Sequence, residues 1–182
     1  MSTTEIELID QTGISHRNYE FYRVSRHADA HFLGPAALFC SNDNESNHVL
    51  LAVGKENMAQ LSFRDESIDA IVNRGSIFYL AYDQIEACMA EMHRTLHPGG
   101  RLLLTLKSNS DNRFSSKDCI VVNQWRRRQT MGAQQNLEME FFDLARAEKV
   151  ISKFKIMTGT HIVTSDLYGD SVFADYSFVL EK

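Results

Sequence analysis

The stretch from Asn57 to Leu106 constrains the fold of this chain more than any other. Ile68 to Val72 and Leu102 to Leu106 are short, mostly apolar runs bounded by chain-breaking residues, the pattern of strands buried on both faces. Between them Ile85, Met89, Met92 and Leu96 recur at helical spacing, and His97-Pro98-Gly99-Gly100 ends the helix. Strand, helix, glycine stop and strand make a βαβ unit, whose two strands run parallel through a right-handed crossover. The fold class is therefore α/β.

The order of residues in the same stretch carries a resemblance. Asn57-Met58-Ala59-Gln60-Leu61-Ser62-Phe63 is followed by Asp65-Glu66-Ser67-Ile68-Asp69-Ala70-Ile71-Val72, then Arg74-Gly75. Leu96-His97-Pro98-Gly99-Gly100-Arg101-Leu102-Leu103-Leu104-Thr105 comes last. This succession resembles the middle of the class I S-adenosylmethionine-dependent methyltransferases of the small-molecule type. The resemblance implies a single domain over residues 1–182, with a three-layer Rossmann-like fold and a mainly parallel sheet. Its central strands would be Val49 to Val53, Ile68 to Val72 and Leu102 to Leu106, closed by an antiparallel C-terminal strand at Ala174 to Leu180.

It also implies a site. Asn57, where the family usually has Asp, and Met58 would lie near the adenine of the cofactor. Asn73, Arg74, Gly75 and Tyr79 would line the methyl-transfer cleft, with Tyr79 as the catalytic candidate. Tyr79 also has a plainer reading, since an aromatic residue after a buried strand often belongs to the core.

The N-terminal half is reduced relative to the family. Ile6 to Ile9 reads as a first strand, Arg17 to Phe32 as a helix, and Ala37 to Cys40 as a second strand. The polar loop before His48 is too short for a parallel crossover, so the sheet loses a strand or two strands meet antiparallel. Where the family has a glycine-rich turn, only Gly13 remains, flanked by the β-branched Thr12 and Ile14. S-adenosylmethionine binding by the isolated chain is expected to be weak or absent. Two other functions stay open: a binding or regulatory subunit of a methyltransferase-fold complex, and a cofactor-independent cyclase or isomerase using the same cleft.

After the central stretch, Trp125-Arg126-Arg127-Arg128 reads either as an anion or nucleic-acid site or as a solvated helix face. Leu144 to Val150 reads as a helix, and Phe154 to Met157 with His161 to Thr164 as one interrupted strand. His93 is expected on the solvent side of the crossover helix, and His27 and His31 as surface residues. No metal site is expected: the 3 cysteines are widely spaced.

The net charge of −5 makes nucleic acid an improbable partner for the surface as a whole. With no apolar run long enough for a membrane span, the expectation is a cytoplasmic protein acting on a small molecule. A sheet short of a covering helix leaves apolar surface or an edge open, so a homodimer, or a heterodimer with a larger relative, is expected.

Overall fold

The computed structural model describes residues 4–8, 38–43 and 48–53 as backbone, and residues 57–131, 135–167, 169 and 171–182 with side chains. A sheet of seven strands forms the centre. In chain order its strands are β1 (Thr4–Leu8), β2 (Leu38–Asp43), β3 (His48–Val53), β4 (Ile68–Asn73), β5 (Leu96–Lys107), β9 (Lys155–Ser165) and β10 (Val172–Glu181). They lie in the order β1-β3-β2-β4-β5-β10-β9. A second, three-stranded antiparallel sheet consists of β6 (Cys119–Val121), β7 (Arg126–Gln129) and β8 (Glu138–Glu140). Two α-helices are described, α1 (Tyr82–Thr95) and α2 (Leu144–Val150).

The βαβ unit is present as read: β4 and β5 pair in parallel, with α1 as their crossover. β10 pairs antiparallel with β5, so that Phe178 stands opposite Leu104 and Leu180 opposite Leu102. The N-terminal strands differ from the expected arrangement. β3 does not adjoin β4, because β2 lies between them, antiparallel to both. The short connection between Asp43 and His48 explains this, since it can close a hairpin but cannot cross over the sheet. With β1 also antiparallel to β3, the sheet is mixed rather than mainly parallel.

The core follows from which face each side chain takes. α1 buries Ile85, Cys88, Met89 and Met92 against Ile71, Leu102, Leu104 and Phe178, and α2 adds Ala147 and Val150 to the same cluster. Both helices therefore cover one face of the sheet, giving two layers among the described residues. Residues 17–32, where the sequence predicts a helix, lie outside them, as do Gly13, His27 and His31. α1 starts with the Ala81 N–H donating to Gln84 Oε1 at 3.0 Å, which satisfies one of the free amides of the first turn.

The glycine stop is dictated sterically. Gly99 has φ +82, and a Cβ on Gly100 would lie 2.9 Å from the His97 carbonyl oxygen and 3.1 Å from that of Asp69. Only glycine lets β5 start that close to β4. β9 is one unbroken strand of 11 residues, not an interrupted one. Gly159 within it accommodates the Phe178 ring, which a Cβ would meet at 3.3 Å. His93 is half-buried rather than solvent-facing, its ring edge-on to Phe154 at 5.1 Å.

Candidate active site

The carboxyl ends of β4 and β5 are where α/β folds bind ligands, and the candidate residues gather there. Asn73 ends β4 and is fully buried. Its Nδ2 donates to Met58 Sδ at 3.1 Å, and its Oδ1 accepts from Ser76 Oγ at 3.0 Å. A single buried amide thus ties the Met58 turn to the turn after β4. Met58 is itself 2% exposed, so it and Asn73 form the floor of this region. Asn57, Arg74 and Gly75 are exposed on its rim.

The rim is held by short-range bonds. Asn57 Oδ1 accepts from the Ala59 N–H at 3.1 Å, an Asx turn that fixes the amide and leaves the oxygen its second lone pair. Gly75 has φ +75, a left-handed conformation that favours glycine. Its N–H donates to Thr105 Oγ1 on β5 at 2.8 Å, which locks the turn to the neighbouring strand.

Tyr79 belongs to a single 3-10 turn, Ile77–Tyr79. Ile77 and Phe78 are buried, whereas Tyr79 is half-buried with its ring 4.8 Å from that of Phe78. The three-stranded sheet packs over this turn through Met139 and Phe141, which share a core cluster with Phe78. Arg126 on β7 fastens the two together. Its Nη1 donates to the Leu80 carbonyl at 2.6 Å and its Nη2 to the Tyr79 carbonyl at 3.2 Å, while Nε meets Glu138 at 2.6 Å.

The arginine run therefore lies on a strand, not on a helix. Arg127 is buried, donates to the carbonyls of Phe114 and Asn123 and lies over the Phe114 ring at 4.2 Å. Arg128 pairs with Glu138. The alternation of strand side chains sends Arg126 and Arg128 to one face and Arg127 to the other, so the three do not converge on a common anion. Phe114 in turn stacks on Trp125.

Beside Tyr79, at the end of β5, lies a charged group that sequence reading missed. Lys107 Nζ is 2.6 Å from Asp175 Oδ1 and 3.6 Å from Asp111 Oδ2, and it lies 5.1 Å from the centre of the Phe78 ring. Asp111 receives two hydrogen bonds from the Arg113 guanidinium, each at 2.7 Å, and one from the Ala174 N–H. Burial alone would raise the Asp111 pKa, but the bonds and charge of Arg113, with Lys107, outweigh it and hold the carboxyl below its usual value. Asp175 lies on the half-buried face of β10, in step with Ser177 and Val179, and meets this cluster because it stands opposite Lys107 in the β5–β10 register. His161 Nε2 lies 2.9 Å from Ser108 Oγ, with its ring stacked on Tyr176.

A family model described as "Methyltransferase domain" matches residues 29–104, a span that contains β4, α1, most of β5 and the rim residues Asn57, Arg74 and Gly75. Over that span the chain is similar to the methyltransferase-domain family. No curated protein matches it. Among solved structures it is similar to an S-adenosylmethionine-dependent methyltransferase of Methanosarcina mazei, at 16% identity and TM-score 0.53, covering 70% of this chain and 65% of that one. A protein of Pyrococcus horikoshii is similar at 15% identity and TM-score 0.54, over 69% of this chain and 57% of that one. A methyltransferase of Thermotoga maritima described as a possible histamine N-methyltransferase is similar at 15% identity and TM-score 0.51, over 71% of this chain and 63% of that one. These likenesses establish the fold, and the chain spans less than two thirds of the length of each of those structures. Among the described residues, no helix is long and apolar enough to cross a membrane.

Proposed function

We propose that this chain is an S-adenosylmethionine-dependent methyltransferase of the small-molecule type whose cofactor site is incomplete. The observation that carries the reading is the bond from Asn73 to Met58, which joins the two turns at the carboxyl end of β4 into one floor beneath an exposed rim. The rim fits an adenosine group in chemical kind. Asn57 offers a carbonyl oxygen with a lone pair to spare for an amino group, and Gly75 keeps the backbone open beside it.

Bound there, the cofactor would supply an electrophilic methyl group on a sulfonium. What the chain contributes is position. Asn57 would hold the base while Met58 and Asn73 support it from below. Arg74 and Gly75 would border the cleft, and Tyr79 would orient the acceptor through its ring and hydroxyl. Methyl transfer in line from a sulfonium depends more on proximity and orientation than on a strong base, and the fastening of Tyr79 by Arg126 serves that requirement. The Lys107, Asp111, Arg113 and Asp175 cluster stiffens the wall beside it.

The incompleteness rests on the sequence: one glycine, Gly13, stands where the family has three. An unmet ribose hydroxyl pair and a crowded turn each cost about 1 to 3 kcal/mol, on the order of a hundredfold in affinity at about 1.4 kcal/mol per decade when each lies towards the lower part of that range. Calorimetric titration with S-adenosylmethionine and with S-adenosylhomocysteine tests this. Binding a hundredfold weaker than micromolar, reduced further in Asn57→Leu, is the expected result. Low-micromolar binding would overturn the incomplete site, and no heat at millimolar ligand would favour a binding or regulatory subunit instead.

A further inference from the structure

We propose that β9 is a self-association seam, at which two copies of this chain join their central sheets antiparallel. Among the described residues β9 ends the strand order, with β10 on one side and no strand on the other. Backbone N–H and C=O groups of successive residues point alternately to the two sides of a strand, so half of those in β9 point away from β10. An edge of this length recruits another strand unless something blunts it.

The usual blunting devices are absent from the strand itself. Its sequence, Lys-Ile-Met-Thr-Gly-Thr-His-Ile-Val-Thr-Ser, contains no proline and no carboxylate. Its one fixed charge, Lys155, stands at the end and is already paired with Glu181 at 3.1 Å. The register shift against β10 falls between Val179 and Leu180, near that same end, which leaves Thr158 to Ser165 regularly paired. Every residue of the strand is exposed, and Ile156, Met157, Ile162 and Val163 are 40–54% exposed.

The occupant follows from the chemistry of this edge. An unpaired ladder accepts an extended strand, and a second β9 brings one of equal length with a matching free edge. Because the strand carries one charge at its end, two copies meet without like charges face to face along their length. A two-fold axis perpendicular to the sheet keeps each face continuous across the seam, so one residue must oppose its own copy. Full overlap of the 11 residues places that residue at Thr160. Directly opposed side chains have Cβ atoms about 4.5–5.5 Å apart, close enough for a charge at this position to decide the outcome.

The test is light scattering of the chain across a micromolar concentration series, with Thr160→Lys and Thr160→Glu alone and mixed. Thr160 is exposed on the strand, so neither substitution enters the core, and circular dichroism checks that both variants fold. The expected result is a dimer for the parent chain, monomers for each variant alone, and a restored dimer when the two are mixed. A parent chain that stays monomeric overturns the proposal. So does a dimer that survives Thr160→Lys, or a mixture that fails to reassociate.

Discussion

At the scale of single residues, the side chains that fix this site are charged groups turned inward onto backbone carbonyls. Arg94 shows the principle. From the last turn of α1 it donates to the carbonyls of Leu61 and Phe63 and meets Glu91 at 2.8 Å and Asp65 at 2.5 Å, while Glu91 Oε2 accepts from the Leu61 N–H. One arginine therefore anchors the segment that begins with Asn57 and Met58 to the crossover helix. Removing it leaves two carbonyls and two carboxylates short of a partner. Because about a third of the side chain is exposed, water replaces part of what is lost. Arg94→Met is expected to lower stability by about 1–2 kcal/mol in urea unfolding and to weaken any ligand that touches Asn57. Unchanged stability would mean that the segment is held by Leu61 and Met58 packing alone.

At the scale of elements, the legible parts were those whose physics is local. The apolar runs, the helical spacing of Ile85, Met89 and Met92 and the glycine stop each act within a few residues, so the βαβ unit could be read directly. The hairpin of β2 and β3 was half legible: the short polar loop excluded a parallel crossover, but not the insertion of β2 between β3 and β4. The arginine run was read wrongly. Adjacent arginines score well as a helix, and their fate depends on Glu138, Glu140 and the Tyr79 carbonyl, partners that one sequence does not place beside them. The Lys107 cluster was hidden for the same reason, since Asp175 lies far along the chain and meets it only through the β5–β10 register. Of the candidate residues, the placement of Asn73, Arg74 and Gly75 at the end of β4 was legible in the sequence, whereas the burial of Met58 and Asn73 and the bond between them were not. The cap makes its own prediction. Arg126→Met should loosen the 3-10 turn, seen as faster amide exchange through residues 77–82, with β4 and β5 protected as before. Exchange rates at that turn equal to the parent's would show that Met139 and Phe141 hold the cap without the arginine.

At the scale of the whole molecule, the shifted carboxylates and the shifted histidine all move downward, and this sets how stability depends on pH on the acid side. Burial lowers the pKa of His93 from its ordinary 6.5, assisted by Lys182 and Lys153 nearby. Hydrogen bonds from Arg94 lower that of Glu91, and those from Arg126 and Arg128 lower that of Glu138, in both cases from 4.5. For each group the unfolded chain binds its proton at a higher pH than the folded one, so stability rises with pH across the interval between the two values. The contribution of His93 is complete above its unfolded pKa and is lost as pH falls below 6.5 through the folded value. The carboxylates follow only below 4.5. Acidification should therefore weaken the fold in two stages, a shallow loss from neutrality to mildly acid pH and a steeper one beyond. Thermal unfolding followed across that range is the measurement, with His93→Gln and Glu138→Gln as separators. His93→Gln should remove the shallow stage and leave the acid one, whereas Glu138→Gln should flatten the acid stage and leave the first unchanged. If His93→Gln leaves the whole profile as it was, then the imidazole against Phe154 titrates alike in the folded and unfolded chain, and its half-buried position contributes no pH dependence.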